Sequence, residues 1–302
     1  MSRIQILKIG PEMCKIPLTV PSLAYGGRCF GQCAYCGRDA WVGWSKLREH
    51  WSPITKLGDR YFDNLARWLS GDLNRNDTPY PGAIRKLIKK KVMLRYVGVE
   101  LTYELAKRLC EVVGSSDLKI AISTKGFFLE FYDRLPVKPD CLTITMTGLN
   151  DNFEKRPKLR RRLTLEYLKN SGPATVRIQP IIPGINDDPS FLRDHISQFR
   201  GAKHVMINFW SGKTRDLFNS PYSVRSVEGK ILPGYRKVWP MGRGYNLDYM
   251  SKIISITRAA AHGIGATWGI YYTSKFQFFN ERPCCCGADH FWRPKKRQGG
   301  VR

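Results

Sequence analysis

The strongest constraint on the fold is a regular alternation of short β-rich runs and helical patterns from residue 92 onward. Between these runs lie segments whose apolar residues recur at helical spacing, which predicts helices. Two of the predicted helices are 127–135 and 246–263. An earlier β-rich run at 16–25 brings the predicted strands to about seven. The later runs lie at 92–98, 118–124, 141–147, 174–182, 204–210 and 264–272. Strands that alternate with helices predict βαβ units, and therefore an α/β protein with a parallel sheet.

About seven strands are too few for a closed eight-fold barrel and fit an open or partial one. In either arrangement, ligands bind at the carboxyl ends of the strands. Residues 37–91 are rich in Trp, Arg, Asn and Pro and are predicted to form an insertion after the first strand, next to the site. The predicted organisation is a barrel domain over 1–272 and a basic, cysteine-containing extension over 273–302.

The charge of the chain favours a polyanionic partner. Fifty Lys and Arg against twenty-five Asp and Glu give a net charge of +25, which indicates nucleic acid, DNA or RNA. The basic residues cluster at 85–91, 154–162 and 293–302. A solvated lysine face or a general basic bias is the alternative interpretation. Aromatic residues beside these cations suit stacking of an unpaired base.

The sequence predicts a cytoplasmic protein. No apolar run approaches the length of a membrane span, and the first twenty residues lack the layout of a signal peptide. An anionic membrane surface is a weaker candidate partner than nucleic acid, because no segment is a clear basic amphipathic helix. In the cytoplasm, the nine cysteines are expected to be thiols or metal ligands rather than disulfides.

Three cysteines, Cys29, Cys33 and Cys36, form a C-x3-C-x2-C triplet just beyond the first predicted strand. A zinc site normally takes four ligands, whereas three thiolates from one loop suit a [4Fe-4S] cluster with one iron left open to a small molecule. The alternative is a zinc or structural site completed by a cysteine of the C-terminal run 284–286.

This spacing, with Tyr35 before the last cysteine, resembles the radical S-adenosylmethionine superfamily, whose fold is a partial (βα)6-type barrel. The resemblance implies that Cys29, Cys33 and Cys36 hold a [4Fe-4S] cluster. It implies that the cluster binds S-adenosylmethionine and cleaves it to a 5′-deoxyadenosyl radical, which takes hydrogen from a substrate. An electron donor such as flavodoxin or ferredoxin is the implied partner, and the backbone at Tyr35 is expected near the adenine.

A narrower resemblance covers roughly residues 92–210. The segments "AISTKGFFLEFYDRL", "CLTITMTGLND" and "ATVRIQPIIPGINDD" resemble the spore photoproduct lyase group of DNA repair enzymes. The resemblance implies that Gly98 and Glu100 contact the amino group of the cofactor. It also implies cofactor contacts by Ser123 and Lys125 at the end of the third strand, by Arg177 to carboxylate or ribose, and by Asn186 beneath the adenine. In the alternative interpretation, Glu100 is a first-turn helix residue and Lys125 a surface cation.

The lyase group quenches its substrate radical with a cysteine that follows the cluster motif, and no cysteine lies between Cys36 and Cys110 here. Cys110 falls in a predicted helix and Cys141 begins a strand, so both are expected to be structural. Photoproduct cleavage itself is therefore not favoured. The candidate hydrogen donors or relays follow the last strand: Cys284, Cys285, Cys286 and Tyr271.

Three functions remain open from the sequence. The first is a radical enzyme that repairs or modifies a DNA base, with RNA modification close behind. The second is a radical enzyme that modifies a peptide or protein and uses 284–286 for an auxiliary cluster. The third is a non-catalytic nucleic-acid-binding protein stabilised by a metal. Net charge does not separate the first from the third.

Overall fold

The computed structural model of the chain describes residues 7–9, 18–20, 33, 54–97, 100–170, 172, 174–182, 185–209, 247–270 and 280–282. Its strands are β1 Lys8–Ile9, β2 Leu18–Val20, β3 Leu94–Tyr96, β4 Ile120–Thr124, β5 Cys141–Thr145, β6 Ala174–Ile181, β7 His204–Phe209 and β8 Thr267–Ile270. Its α-helices are α1 Ile54–Leu69, α2 Pro81–Lys89, α3 Tyr103–Gly114, α4 Pro157–Asn170, α5 Pro189–Ser197 and α6 Leu247–Gly263. A 3₁₀ helix spans Phe127–Arg134.

The eight strands form one sheet in which spatial order follows chain order. The short strand β1 is antiparallel to β2, and β2 to β8 are all parallel. Within the described residues the sheet is open, because β8 has no partner beyond β7. The predicted α/β class and its parallel sheet are confirmed, and each of the seven predicted strands contains an observed one. Only β1 lies outside the prediction.

The two faces of the sheet differ in composition. One face consists almost entirely of large apolar side chains, such as Tyr96, Ile144 and Val205, which belong to the main hydrophobic core. Trp268 on this face donates to the hydroxyl of Thr257 on α6, which places the helices on the apolar side. The opposite face is mixed: Ala121, Cys141 and Met206 lie there among polar side chains, which are described with the candidate site below. This division fits the parallel register, in which paired residues point to the same side.

Two local features add detail to the sequence predictions. The helix predicted over 127–135 is a 3₁₀ helix, Phe127–Arg134, that follows Gly126, whose φ is +95°. The described part of the predicted insertion 37–91 contains α1 and α2. Phe62, Leu65 and Trp68 of α1 are buried in the core, so α1 packs as part of the domain.

None of the helices within the described ranges is long and apolar enough to cross a membrane.

Candidate functional site at the carboxyl edge of the sheet

Polar side chains line the sheet face opposite the helices. Thr143 and Thr175 pair in register, as do Thr145 and Arg177 on the same two strands. All four are buried, Thr175 completely and Arg177 to 9% exposure. Further members of this face are Thr19, Arg95, Ser123, His204 and Thr267. Strands buried in a parallel sheet are normally apolar on both faces, so hydroxyl and guanidinium donors here indicate a surface built for a polar or anionic ligand.

Glu100, just after β3, joins the carboxyl ends of β3 and β4. Its carboxylate, 6% exposed, accepts hydrogen bonds from the backbone N–H groups of Lys125 at 2.8 Å and Phe128 at 2.9 Å. The hydroxyl of Thr124 also donates to it. The left-handed Gly126 makes this tight turn possible, because its missing side chain removes the usual penalty for positive φ. Glu100 is therefore first of all the acceptor that shapes the turn after β4.

A buried ion cluster lies beside this turn. The guanidinium of Arg160, which is 0% exposed, contacts the carboxylate of Glu154 at 3.0 Å, and the ammonium of Lys125 lies 3.6 Å from the other carboxylate oxygen. Arg160 also donates to the carbonyl of Thr145 at 3.0 Å and to the carbonyl of Lys125. Arg160 stands in the first turn of α4, so this cluster fastens that helix to the ends of β4 and β5.

Asn186 holds together the loops that follow β5 and β6. Its amide oxygen accepts from the N–H of Ile182 at 2.7 Å. Its amide nitrogen donates to the carbonyls of Thr147 at 2.8 Å and Pro180 at 3.1 Å. With three partners on the main chain and an exposure of 2%, the side chain fixes the shape of this part of the carboxyl edge.

His195 on α5 completes the packing beneath the loop after β5. Its ring lies 3.0 Å from the carbonyl of Met146 and stacks on the ring of Phe191. Gly148 passes so close that an added Cβ would lie 2.4 Å from the Phe191 ring, and its φ is +75°. Burial lowers the pKa of His195, with Arg161 adding to the shift, while the Met146 carbonyl and Glu154 oppose it. The buried imidazole is therefore neutral and donates to Met146.

Acidification is expected to destabilise the protein through His195. Its folded pKa lies below the ordinary value of 6.5, so the unfolded chain takes up a proton that the folded chain does not. This contribution is present above pH 6.5 and is lost as the pH falls below it, by up to about 1.4 kcal/mol per pH unit until the folded pKa is reached. The His195→Gln variant keeps a donor and should lose this dependence. Urea unfolding of both proteins between about pH 7.5 and about pH 5 measures it, and equal slopes would contradict the assignment.

The structure brings together five of the residues predicted from the sequence. Ser123 lies on the polar face of β4 and Arg177 on that of β6, while Glu100, Lys125 and Asn186 lie in the loops at the same carboxyl edge. Lys125 is 24% exposed on its side chain and pairs with Glu154, so it is more than an isolated surface cation. Cys33 is buried, at 6% exposure.

The remaining predicted site residues lie outside the described residues: Cys29, Tyr35, Cys36, Gly98, Tyr271, Cys284, Cys285 and Cys286. Among the residues the structure does describe, His, Cys, Asp and Glu side chains form no group of three or more suited to a metal ion. This finding does not cover the cysteine triplet, because two of its members lie outside the described ranges.

The two cysteines expected to be structural are buried. Cys110 lies on α3 at 1% exposure, and burial raises the pKa of its thiol to about 12. Cys141 is the first residue of β5, at the amino edge of the sheet. Neither position suits a thiol that meets a ligand at the carboxyl edge.

Residues 280–282, just before the C-terminal cysteines, run alongside β8. The Asn280 side chain accepts from the N–H of Ile270 and the Glu281 carboxylate from the N–H of Trp268, so the chain proceeds toward the amino end of that strand. Burial would raise the pKa of Glu281, but hydrogen bonds from Trp268, Arg258 and His262 lower it. The described part of the extension thus heads away from the carboxyl edge. The candidate donors that follow the last strand, Cys284 to Cys286 and Tyr271, lie outside the described ranges.

Three residues of this region were not predicted from the sequence: Glu154, Arg160 and His195. The run 154–162 was predicted only as a basic cluster, whereas Arg160 and Glu154 are buried. A signal was present, since Glu154 is the one acid in the run "EKRPKLRRR". Helical spacing from Thr164 and Tyr167 back to position 160 also places Arg160 on the buried side.

Comparison with models of known protein families gives no match to the chain, and comparison with curated proteins gives none either.

Proposed function

We propose that the chain is a radical S-adenosylmethionine enzyme of partial (βα) barrel fold that acts on a nucleic acid, with a DNA base as the first choice of substrate. The observation that carries the proposal is positional. The C-x3-C-x2-C triplet follows β2, which is the first strand of the parallel series. The loop after a parallel strand leaves from the carboxyl edge, which is also the edge of Glu100, Ser123, Lys125 and Arg177.

The donor set fits a [4Fe-4S] cluster with one open iron. Cys29, Cys33 and Cys36 would hold it, and the burial of Cys33 suits a cluster shielded from water. When bound, such a cluster supplies the electron that cleaves S-adenosylmethionine and so provides a radical for hydrogen abstraction.

The chain itself would bind and orient the cofactor and substrate. Arg177 presents a guanidinium at the buried polar face, where a carboxylate or a ribose hydroxyl can accept from it. Lys125 adds a cation whose position is set by Glu154. The Glu100 carboxylate already accepts from three donors of the β4 turn. A hydrogen bond from the cofactor ammonium to Glu100 would be made in addition to these three, by the same carboxylate in the same orientation.

Metal analysis of the full chain tests the cluster assignment. After anaerobic reconstitution with iron and sulfide, we expect about four irons per chain. After reduction with dithionite, we expect an electron paramagnetic resonance signal that changes when S-adenosylmethionine is added. The Cys33→Ala variant should lose both. The Cys110→Ala variant removes a buried thiol of α3 that is not part of the triplet and should keep both. Bound zinc without iron would contradict the proposal, and iron near twice the expected amount would favour the peptide-modifying alternative.

A further inference from the structure

The exposed side of the first turns of α4 is strongly cationic. Its members, which we call the α4 basic face, are Lys155, Arg156, Lys158, Arg161 and Arg162, all exposed. Among the described residues none of the five forms an ion pair with a carboxylate. The neighbouring Arg160 is excluded from the set because it is buried against Glu154.

Helix stability does not account for these cations. The amino end of a helix carries the positive end of the helix dipole and favours acidic side chains. The first turn of α4 holds no acid at all, and Lys158 stands there, with Lys155 and Arg156 immediately before the helix and Arg161 and Arg162 immediately after that turn. Cations at this end of the helix are repelled by the positive end of the helix dipole. An anionic partner that binds there would offset this repulsion.

The α4 basic face begins at the candidate site. Arg160 of the same turn donates to the carbonyl of Thr145, the last residue of β5, and to the carbonyl of Lys125, which follows β4. The amino end of α4 is thereby fixed at the carboxyl edge.

The second basic cluster of the described chain lies at the other edge. Lys86, Lys89 and Lys90 are exposed at the end of α2, which leads into the amino end of β3. The nearby Lys91 already pairs with Asp117 at 3.3 Å. Charge alone does not distinguish the two clusters, whereas position does.

We propose that the α4 basic face binds the phosphate backbone of a single-stranded or locally unpaired DNA segment and so delivers a base to the carboxyl edge. This inference rests on the proposed function for the identity of the substrate. Arginine and lysine side chains match phosphate oxygens, and an enzyme that acts on a base needs that base out of the stack. The α2 cluster takes no part in delivery.

Two matched triple variants of the full chain test the inference. Lys158→Gln/Arg161→Gln/Arg162→Gln removes three charges from the α4 basic face, and Lys86→Gln/Lys89→Gln/Lys90→Gln removes three from α2. Fluorescence anisotropy with a labelled single-stranded DNA oligonucleotide at several salt concentrations gives the affinity. We expect the α4 variant to bind at least about tenfold more weakly, with a slope of log affinity against log salt reduced by about 2. The α2 variant should stay within about twofold of the parent protein.

Equal losses in the two variants would overturn the inference, as would a preference of the parent protein for RNA of the same sequence or for anionic vesicles. A lower melting temperature of the α4 variant would also count against it, because removal of charges that oppose the helix dipole should leave the melting temperature unchanged or raise it. Production of 5′-deoxyadenosine without DNA is measured in parallel. If the parent protein produces none, the proposed function fails while the binding result stands, so the two failures are distinguishable.

Discussion

Replacement of Arg160 by methionine is expected to lower the free energy of unfolding by about 3–5 kcal/mol, because removal of one partner leaves the other charge of a buried ion pair uncompensated. Glu154 would remain buried at 3% exposure, with the ammonium of Lys125 at 3.6 Å. The carbonyls of Thr145 and Lys125 would also lose their donor. Urea unfolding at neutral pH measures the loss.

The adjacent Arg161 provides the matched control. Arg161→Met makes the same chemical change one residue along the helix, at an exposed position, and should alter stability by no more than about 0.5 kcal/mol. In the Arg160→Met/Glu154→Gln double variant the stranded charge is gone, so part of the loss should be recovered. Equal effects of Arg160→Met and Arg161→Met would show that the buried cluster does not fasten α4 to the sheet.

Removal of the Glu100 carboxylate is the second large effect. Glu100→Ala leaves the N–H groups of Lys125 and Phe128 and the hydroxyl of Thr124 without their acceptor. Hydrogen bonds to a charged group contribute about 1.5–3 kcal/mol each, so we expect a combined loss of about 3–5 kcal/mol after partial relaxation of the turn. Glu100→Gln keeps one carbonyl oxygen and should cost about 1–2 kcal/mol.

The same two variants separate the structural role of Glu100 from its proposed role toward the cofactor. Binding of S-adenosylmethionine to the reconstituted protein is measured by calorimetry, well below the melting temperature of each variant. If the carboxylate also accepts from the cofactor ammonium, Glu100→Gln should weaken binding about tenfold or more, because a charged acceptor is lost. Unchanged cofactor affinity together with lowered stability would limit Glu100 to shaping the turn after β4.

The sequence predicted the parallel strands well because their pattern is local. Branched and apolar runs bounded by turn residues mark each of β2 to β8, and the carboxyl-edge placement of Ser123 and Arg177 follows directly from strand order. The sequence predicted a helix over 127–135 but not its 3₁₀ type, because apolar spacing alone does not reveal the constraint at its start. There, Gly126 adopts positive φ and the N–H of Phe128 bonds to Glu100, which lies 28 positions away in the chain.

The parts of the site that could not be predicted from the sequence depend on contacts between residues far apart in the chain. Three consecutive arginines, 160 to 162, look alike as composition, and only the packing of α4 on the turn after β4 makes the first of them internal. The helices α1 and α2 were not predicted, because the range 37–91 was described by its content of Trp, Arg, Asn and Pro. The helical spacing of Phe62, Leu65 and Trp68 places one face of α1 in the core, because burial of a helix face depends on spacing and not on composition.

The most direct test of the proposed chemistry is an anaerobic assay for 5′-deoxyadenosine. The reconstituted, reduced full chain is incubated with S-adenosylmethionine, alone and with single-stranded DNA or RNA. We expect 5′-deoxyadenosine to form, to increase with DNA, and to be absent with Cys33→Ala. A fully loaded and reducible cluster that yields no 5′-deoxyadenosine under any of these conditions would contradict the proposal and leave a metal-stabilised nucleic-acid-binding protein.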